Sequence, residues 1–252
     1  VGALDFAGGL VVHISSGFGA LAAALVIGRR VGLGSKAMEP HNIPYVVLGA
    51  ALLWFGWFGF NAGSALTAGG QATSAFVVTN TAAATAALTW ICLSWCFTRK
   101  VSAVGVVTGA VAGLATITPA AGFVGPMPAI IIGLGAGVFC YMAIQLKNRL
   151  KLDDSLDVWA VHGIGSTWGV LATGLFLGVG FMGLSEFSEY SRVSQVGRQI
   201  IGIGAAMGWA FVMTFLILTV LKRTIGIRVS ESEEEQGLDF SIHGEEAYTE
   251  AS

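Results

Sequence analysis

The distribution of apolar residues along the chain predicts seven membrane-spanning helices. A bilayer core of about 30 Å needs about 20 apolar residues per helix. Seven stretches qualify: residues 4–27, 43–66, 75–97, 101–118, 127–146, 158–181 and 200–221. Strands of a membrane β-barrel would be about ten residues long and would alternate in polarity, and these stretches do neither. The sequence therefore predicts an all-α polytopic membrane protein, with residues 1–221 as its transmembrane domain and residues 222–252 as a tail.

The positions of the basic residues predict the orientation of these helices. Eleven of the 13 Lys and Arg residues fall in alternate connectors or in the tail. The other two, Arg192 and Arg198, fall in the connector 182–199. Because basic residues concentrate on the cytoplasmic side of a membrane, we expect residue 1 outside and the tail in the cytoplasm, in a cell membrane.

Composition narrows the class of protein further. Only 11% of the 252 residues are charged, against about 25% in soluble domains, which argues against a soluble, disordered or nucleic-acid-binding protein. The 36 glycines are about twice the ordinary share and predict helices that pack backbone to backbone. The three cysteines have no metal-binding spacing, and no nucleophile–base pair stands out. We therefore expect no enzyme and no cofactor.

Two histidines are the main candidates for chemistry inside the membrane. His13 lies well inside the first predicted span, and His162 lies inside the sixth. Since those spans run in opposite directions, both imidazoles are expected near the middle of the bilayer, where titratable groups are rare and usually functional. A neutral pair can share a proton and bind a small hydrogen-bonding solute, or relay a proton. Packing roles or a metal site are the alternatives, although no Cys, Asp or Glu lies nearby at ligand spacing.

Asp5 and Asp157 each stand at the predicted start of a histidine-bearing helix. An Asp there accepts hydrogen bonds from free backbone N–H groups and complements the positive end of the helix dipole. Capping is therefore the structural interpretation of both residues. The functional alternative is that the two carboxylates set the field at the mouths of a pore and favour cations.

The second span carries an aromatic face. Trp57, Phe60 and Ser64 are spaced three and four residues apart, so they share one side of a helix. This face can present π surfaces to a cation or to an apolar solute, with Asn61 and Ser64 supplying hydrogen-bonding groups. The alternative is a belt of aromatic residues at the membrane interface.

The tail differs in composition from the rest of the chain. Residues 229–252 contain eight acidic residues and no Lys or Arg, which is typical of a solvated, partly disordered segment. Apolar and turn residues interrupt the charge, which favours a segment that docks on a partner. The residues that carry this second interpretation are Gly237, Asp239, His243, Gly244, Glu245 and Tyr248.

Four motifs together resemble the ammonium transporter family (Amt/Mep/Rh), and its Amt branch in particular. They are DFAGGxVVH at 5–13, WFGFNAGS at 57–64, DVxxVHG at 157–163 and GLD…HGExAY at 237–248. The resemblance implies an eleven-span transporter built from two inverted five-helix repeats. The seven spans here resemble the fifth to the eleventh, so we expect a C-terminal fragment that lacks four helices.

The resemblance also implies roles for individual residues. His13 and His162 match the twin pore histidines, and Trp57 matches the aromatic residue beside them. Phe60 matches one ring of the phenylalanine gate. Ser64 matches the hydroxyl of the outer ammonium-recruitment site, and Asp5 matches the carboxylate that orders that site.

The family's known behaviour implies further expectations. The chain is expected to form homotrimers and to pass ammonium or ammonia, with PII-type signalling proteins as partners at the cytoplasmic face. A sensor is the main alternative to a transporter, and the feature that would distinguish it is a kinase or cyclase domain after the last span. The tail, about thirty residues long, contains no such domain.

Overall fold

The computed structural model describes residues 2–34, 39–180 and 191–246, and these residues are built from helices. The seven long segments are α1 (Gly9–Ile27), α2 (Ile43–Gly63), α3 (Gly70–Thr98), α4 (Ala103–Ile117), α5 (Pro126–Arg149), α6 (159–176) and α7 (Arg192–Thr224). A short helix, α8 (Glu231–Gln236), and a π-turn, Asp239–His243, follow in the tail. The predicted all-helical class is confirmed, with a helix at each of the seven predicted positions.

Five of these helices are long and apolar enough to cross a membrane: α1, α2, α3, α5 and α7. Helix α4 is a shorter apolar helix of 15 residues. Helix α6 begins with six π-helical residues and continues for twelve α-helical ones. Both helices have many buried residues and pack inside the bundle against their longer neighbours.

The boundaries of several predicted spans were wrong. The first helix begins at Gly9 rather than at residue 4, and residues 4–8 form a loop. The last helix begins at Arg192, so residues 192–199, predicted as connector, are helical. Its start is capped by Ser191, whose side chain accepts from the Ser194 N–H. The end of the sixth predicted span, residue 181, lies outside the described residues.

Close packing of small residues holds the centre of the bundle together. A Cβ on Gly113 of α4 would lie 2.5 Å from the backbone oxygen of Ala82 on α3, and one on Gly133 of α5 would lie 2.6 Å from the same oxygen. Both distances are too short for any side chain, so three helices meet backbone to backbone around Ala82. Dispersion contacts at this range hold helices together where lipid removes the hydrophobic driving force.

The tail folds back on the bundle. Glu234 of α8 accepts the backbone N–H of Val31 at 2.6 Å, and it pairs with Arg228 at 2.8 Å. Ser230 and Glu233 form a reciprocal capping box at the start of α8. The described part of the tail, up to residue 246, therefore contains helical turns that contact the connector after α1, although most of its side chains are exposed. Tyr248, predicted as part of the docking motif, lies outside the described residues.

Candidate functional site

Each histidine lies in a π-helical turn at the start of its helix. His13 lies within Gly9–Ile14 and His162 within Trp159–Ile164, and each turn continues directly into α-helix. The His13 N–H, for example, reaches the Gly8 carbonyl five residues back, at 3.1 Å. Such single π-turns inside α-helices are rare and occur frequently at functional sites.

The two histidine-bearing helices cross where glycine removes every side-chain atom. A Cβ on Gly17 of α1 would lie 2.3 Å from the backbone N and Cα of Gly163 on α6. The helices can therefore approach until their backbones touch. This approach brings the Nδ1 atoms of His13 and His162 to 3.2 Å, a hydrogen-bond distance, with the ring centroids 5.1 Å apart.

Aromatic rings from α2 pack against this pair. The Trp57 ring is stacked on His13, with centroids 5.3 Å apart and an interplanar angle of 23°. Its centroid is 6.4 Å from that of His162, and the Phe60 centroid is 5.9 Å from that of His13. Trp57 and His13 are buried, whereas Phe60 is 40% exposed. Four residues singled out from the sequence thus form one cluster.

Thr118, the last residue of the fourth predicted span, joins the members of this cluster. Its Oγ1 accepts the Trp57 indole N–H at 3.0 Å and lies 3.3 Å from His13 Nε2. The same hydroxyl donates to the Leu114 carbonyl at 2.8 Å. A threonine on an apolar helix gives no sequence signal of such a role, because its partners are 61 and 105 residues away.

These contacts assign the protons of the neutral histidine pair. A threonine hydroxyl has one hydrogen, and the Leu114 carbonyl, which only accepts, takes it. Thr118 must then accept from His13 Nε2–H, so His13 Nδ1 is an acceptor. The proton between the rings therefore belongs to His162 Nδ1, and Nε2 of His162 carries a lone pair. The assignment follows from the hydrogen-bond network, since hydrogens are inferred from such networks.

Asp5 caps the first histidine helix from the preceding loop. Its carboxylate accepts from the N–H groups of Gly8 at 3.1 Å, Gly9 at 2.5 Å, Leu10 at 2.8 Å and Val11 at 3.4 Å. Four donors on one carboxylate satisfy the free end of the helix. These hydrogen bonds agree with the capping interpretation of Asp5.

The matching role on the second histidine helix belongs to Asp154, so the capping interpretation of Asp157 was wrong. Asp154 Oδ2 accepts the Trp159 N–H at 2.8 Å, and Asp154 precedes His162 by the same eight positions by which Asp5 precedes His13. Asp157 has a positive φ of 56° and its carboxylate is 2.6 Å from Lys147 Nζ. Burial raises the pKa of Asp157 above its ordinary value, in spite of the hydrogen bond from Lys147.

Two further predicted residues, Asn61 near the end of α2 and Ser64 directly after it, lie beside the cluster. Ser64 is one turn beyond Phe60, and its hydroxyl donates to the Phe60 carbonyl at 2.9 Å, which leaves the oxygen as an acceptor. Asn61 is buried and donates to Thr79 Oγ1 on α3 at 3.0 Å. Its amide therefore supports the contact between α2 and α3 rather than the histidines.

Among the described residues, no group of three His, Cys, Asp or Glu side chains is placed to hold a metal ion. The geometry above defines a class of protein: a helical membrane protein in which two similar helices cross at a hydrogen-bonded histidine pair, covered by aromatic rings.

Comparison with known proteins identifies the family. The chain belongs to the Ammonium Transporter Family, whose model matches residues 1–248. It is 50% identical to the ammonium transporter Amt1 of Archaeoglobus fulgidus, over 99% of this chain and 63% of that protein. It is 48% identical to the ammonium transporter of Bacillus subtilis, over 98% of this chain and 61% of the relative.

Solved structures agree with the assignment. A structure described as a sensor Amt protein superposes with a TM-score of 0.88 at 34% identity, covering 96% of this chain and 60% of the other. Candida albicans Mep2 superposes with a TM-score of 0.81 at 41% identity, covering 92% and 54%. The chain thus spans about three-fifths of the length of these relatives.

Proposed function

We propose that this chain forms part of an ammonium-conducting pathway in a cell membrane, and that His13 and His162 bind the permeating molecule. The observation that carries the proposal is the 3.2 Å contact between the two imidazoles, stacked against Trp57. Membership of the Ammonium Transporter Family supports ammonium as the substrate. A histidine pair in which His162 Nε2 carries a lone pair suits a small solute that donates hydrogen bonds.

The proposed pathway begins at the side of the bundle where Ser64 and Phe60 lie. There the π surface of Phe60 and the hydroxyl oxygen of Ser64 attract the ammonium cation. A bare cation in an apolar passage is costly, so the passage favours ammonia after loss of a proton. The lone pair on His162 Nε2 accepts that proton, the histidine pair passes it on separately, and the same nitrogen then accepts a hydrogen bond from ammonia.

The test removes both imidazoles in the protein expressed at its natural length. We expect His13→Ala with His162→Ala to abolish ammonium-driven currents in proteoliposomes while the protein still assembles. The control is His41→Ala, which removes an imidazole from the exposed connector before α2. Normal currents in the double variant would exclude the proton-relay role.

Regulation by the tail is the second part of the proposal. Glu234 holds the Val31 N–H, and the neighbouring Arg30 donates from its backbone N–H and Nε to the Asp153 carboxylate at 2.6 and 2.8 Å. Asp153 directly precedes Asp154, which caps the helix of His162. A chain of polar contacts thus runs from the tail to the start of that helix, so displacing the tail would disturb the pore.

The surface of the tail supports a docking role. Leu238, Phe240 and Ile242 are each about half exposed, around a π-turn that ends at Gly244 with a φ of 70°. Apolar side chains presented on a short ordered segment suit contact with another protein surface. We propose the neighbouring subunit of a homotrimer as that surface, with a PII-type protein as a competing partner in the cytoplasm.

A further inference from the structure

Two buried glutamines on α7 stand out because the rest of that helix is largely exposed. Gln195 and Gln199 lie one turn apart and are 1% and 0% exposed. A primary amide removed from water in an apolar bundle is costly unless its donors and acceptors are paired. The partners of these amides therefore indicate what they do.

Gln199 uses its whole hydrogen-bonding capacity, and half of it goes to one residue. Its Oε1 accepts the Leu4 N–H at 2.7 Å, and its Nε2 donates to the Leu4 carbonyl at 2.8 Å. Nε2 also donates to the Val170 carbonyl on α6 at 3.0 Å. The fourth bond comes from Gln195 Nε2 at 3.2 Å, and Gln195 also donates to the Gly2 carbonyl at 3.1 Å.

The clamped residue directly precedes Asp5. Gln199 fixes the Leu4 carbonyl, which belongs to the same peptide group as the Asp5 nitrogen. On the other side of Asp5, the Phe6 N–H donates to the Pro119 carbonyl at 3.1 Å. The backbone is therefore anchored on both sides of Asp5, by the Gln199 side chain of α7 at Leu4 and by the Pro119 carbonyl at Phe6.

We propose that Gln199, supported by Gln195, is a positioning residue that sets the Asp5 carboxylate at the mouth of the pathway. The inference rests on the proposed function and extends it to Asp5, for which the family resemblance implies the ordering of the outer ammonium site. It assigns α7, which carries neither histidine, a part in substrate recruitment. A purely structural amide would only attach α7 to its neighbours.

The first test measures hydrogen exchange in the protein expressed at its natural length. We expect Gln199→Met to speed exchange of the four amides held by Asp5, residues 8–11, by at least about tenfold, which corresponds to about 1.4 kcal/mol. Gln145→Met, which removes an exposed amide on α5, serves as the matched control. Unchanged exchange at residues 8–11 in Gln199→Met would overturn the proposal.

The second test separates positioning from general damage. We expect Gln199→Met to raise the KM for methylammonium at least about threefold while Vmax per trimer stays within about twofold. In an Asp5→Asn background the same change should have no further effect on KM, because Gln199 acts through Asp5. An additive effect in the double variant would overturn the proposal.

One combination of results distinguishes this inference from the function on which it rests. Faster exchange at residues 8–11 with an unchanged KM supports the clamp, meaning the hydrogen bonds from Gln199 to Leu4, and contradicts a recruiting role of Asp5.

A second variant covers the case in which Gln199→Met does not reach the membrane. Gln195→Met removes only the outer part of the clamp, and a smaller rise of about threefold in exchange is expected. No rise in that variant overturns the proposal.

Discussion

Replacing Gly17 by alanine should separate the two histidines without touching either. The new Cβ would lie 2.3 Å from Gly163 backbone atoms, whereas real Cβ atoms essentially never approach within 3.0 Å. Because the opposing atoms are backbone, the helices themselves must move, by about 0.7–1.1 Å to bring this distance into the range from 3.0 Å, the shortest tolerated, to 3.4 Å, where ordinary contact begins. Gly17 is one turn from His13, so a shift of this size stretches the 3.2 Å contact between the Nδ1 atoms to about 4 Å, beyond hydrogen bonding.

The expected loss of stability in Gly17→Ala follows from overpacking. Inserting a methyl group into a packed crossing costs about 1–3 kcal/mol of unfolding free energy, so the melting temperature should fall. Loss of the histidine contact should lower the initial rate of methylammonium uptake at least about tenfold, equivalent to about 1.4 kcal/mol in the barrier. Both are measured on purified protein, by thermal unfolding and in proteoliposomes at equal protein.

Two other glycine variants serve as controls. Gly163→Ala lies at the same crossing, but its Cβ would be 3.4 Å from Gly17 Cα, an ordinary contact. Gly204→Ala on α7 meets no described atom within 4 Å. We expect both to keep uptake within about threefold of the parent. Equal uptake and equal melting temperature for Gly17→Ala and Gly163→Ala would refute the argument that backbone contact sets the histidine distance.

Three further predictions concern the rest of the site and the tail. Thr118→Val leaves the Trp57 indole N–H without its acceptor, which costs about 1–3 kcal/mol of unfolding free energy. Uptake should therefore fall well below that of Thr118→Ser, and equal uptake rates in the two variants would contradict this role of Thr118. Burial acts to raise the pKa of Asp153, but hydrogen bonds from Arg30 outweigh it and hold the pKa below its ordinary value of 3.8. The ion pair therefore stabilises the protein above that pH and ceases to do so as the pH falls through the lowered pKa. The difference in melting temperature between the parent and Asp153→Asn should therefore shrink as the pH is lowered below 3.8, and a difference that does not change with pH would argue against this ion pair. Deleting residues 237–252 should weaken uptake while size-exclusion chromatography still detects the trimer, and unchanged uptake would exclude a regulatory docking role.

Hydropathy located the seven long helices because a bilayer demands long apolar segments, whereas the short acidic helix α8 gave no such signal. It misplaced the start of α7, since Arg192 and Arg198 lie in helical turns beyond the apolar part of the sequence. Helix ends depend on local caps such as Ser191, which hydropathy does not detect. The architecture was thus predictable from the chain, and the exact ends of the elements were not.

The candidate site was predictable where residue type is itself unusual. His13 and His162 are conspicuous because titratable groups are rare in such helices. Thr118 and Gln199 were missed, since their roles depend on partners more than 60 residues away. The error over Asp157 has a local cause: Asp154 and Asp157 are three residues apart, and only the loop conformation, with Asp157 at a φ of 56°, decides which one faces the helix end.

The π-turns at the two histidines have a consequence for sequence change in this protein. Each turn holds one residue more than an α-turn would, and one residue rotates a helix by about 100°. Deleting a residue from Gly9–Ile14 would leave an unbroken α-helix whose imidazole faces a neighbouring helix instead of its counterpart. Conservative replacements within the turn leave this rotation unchanged. In these two short stretches the number of residues is therefore under stronger constraint than their identity, apart from the histidines themselves and Gly9, where a Cβ would lie 2.5 Å from the Pro119 side chain.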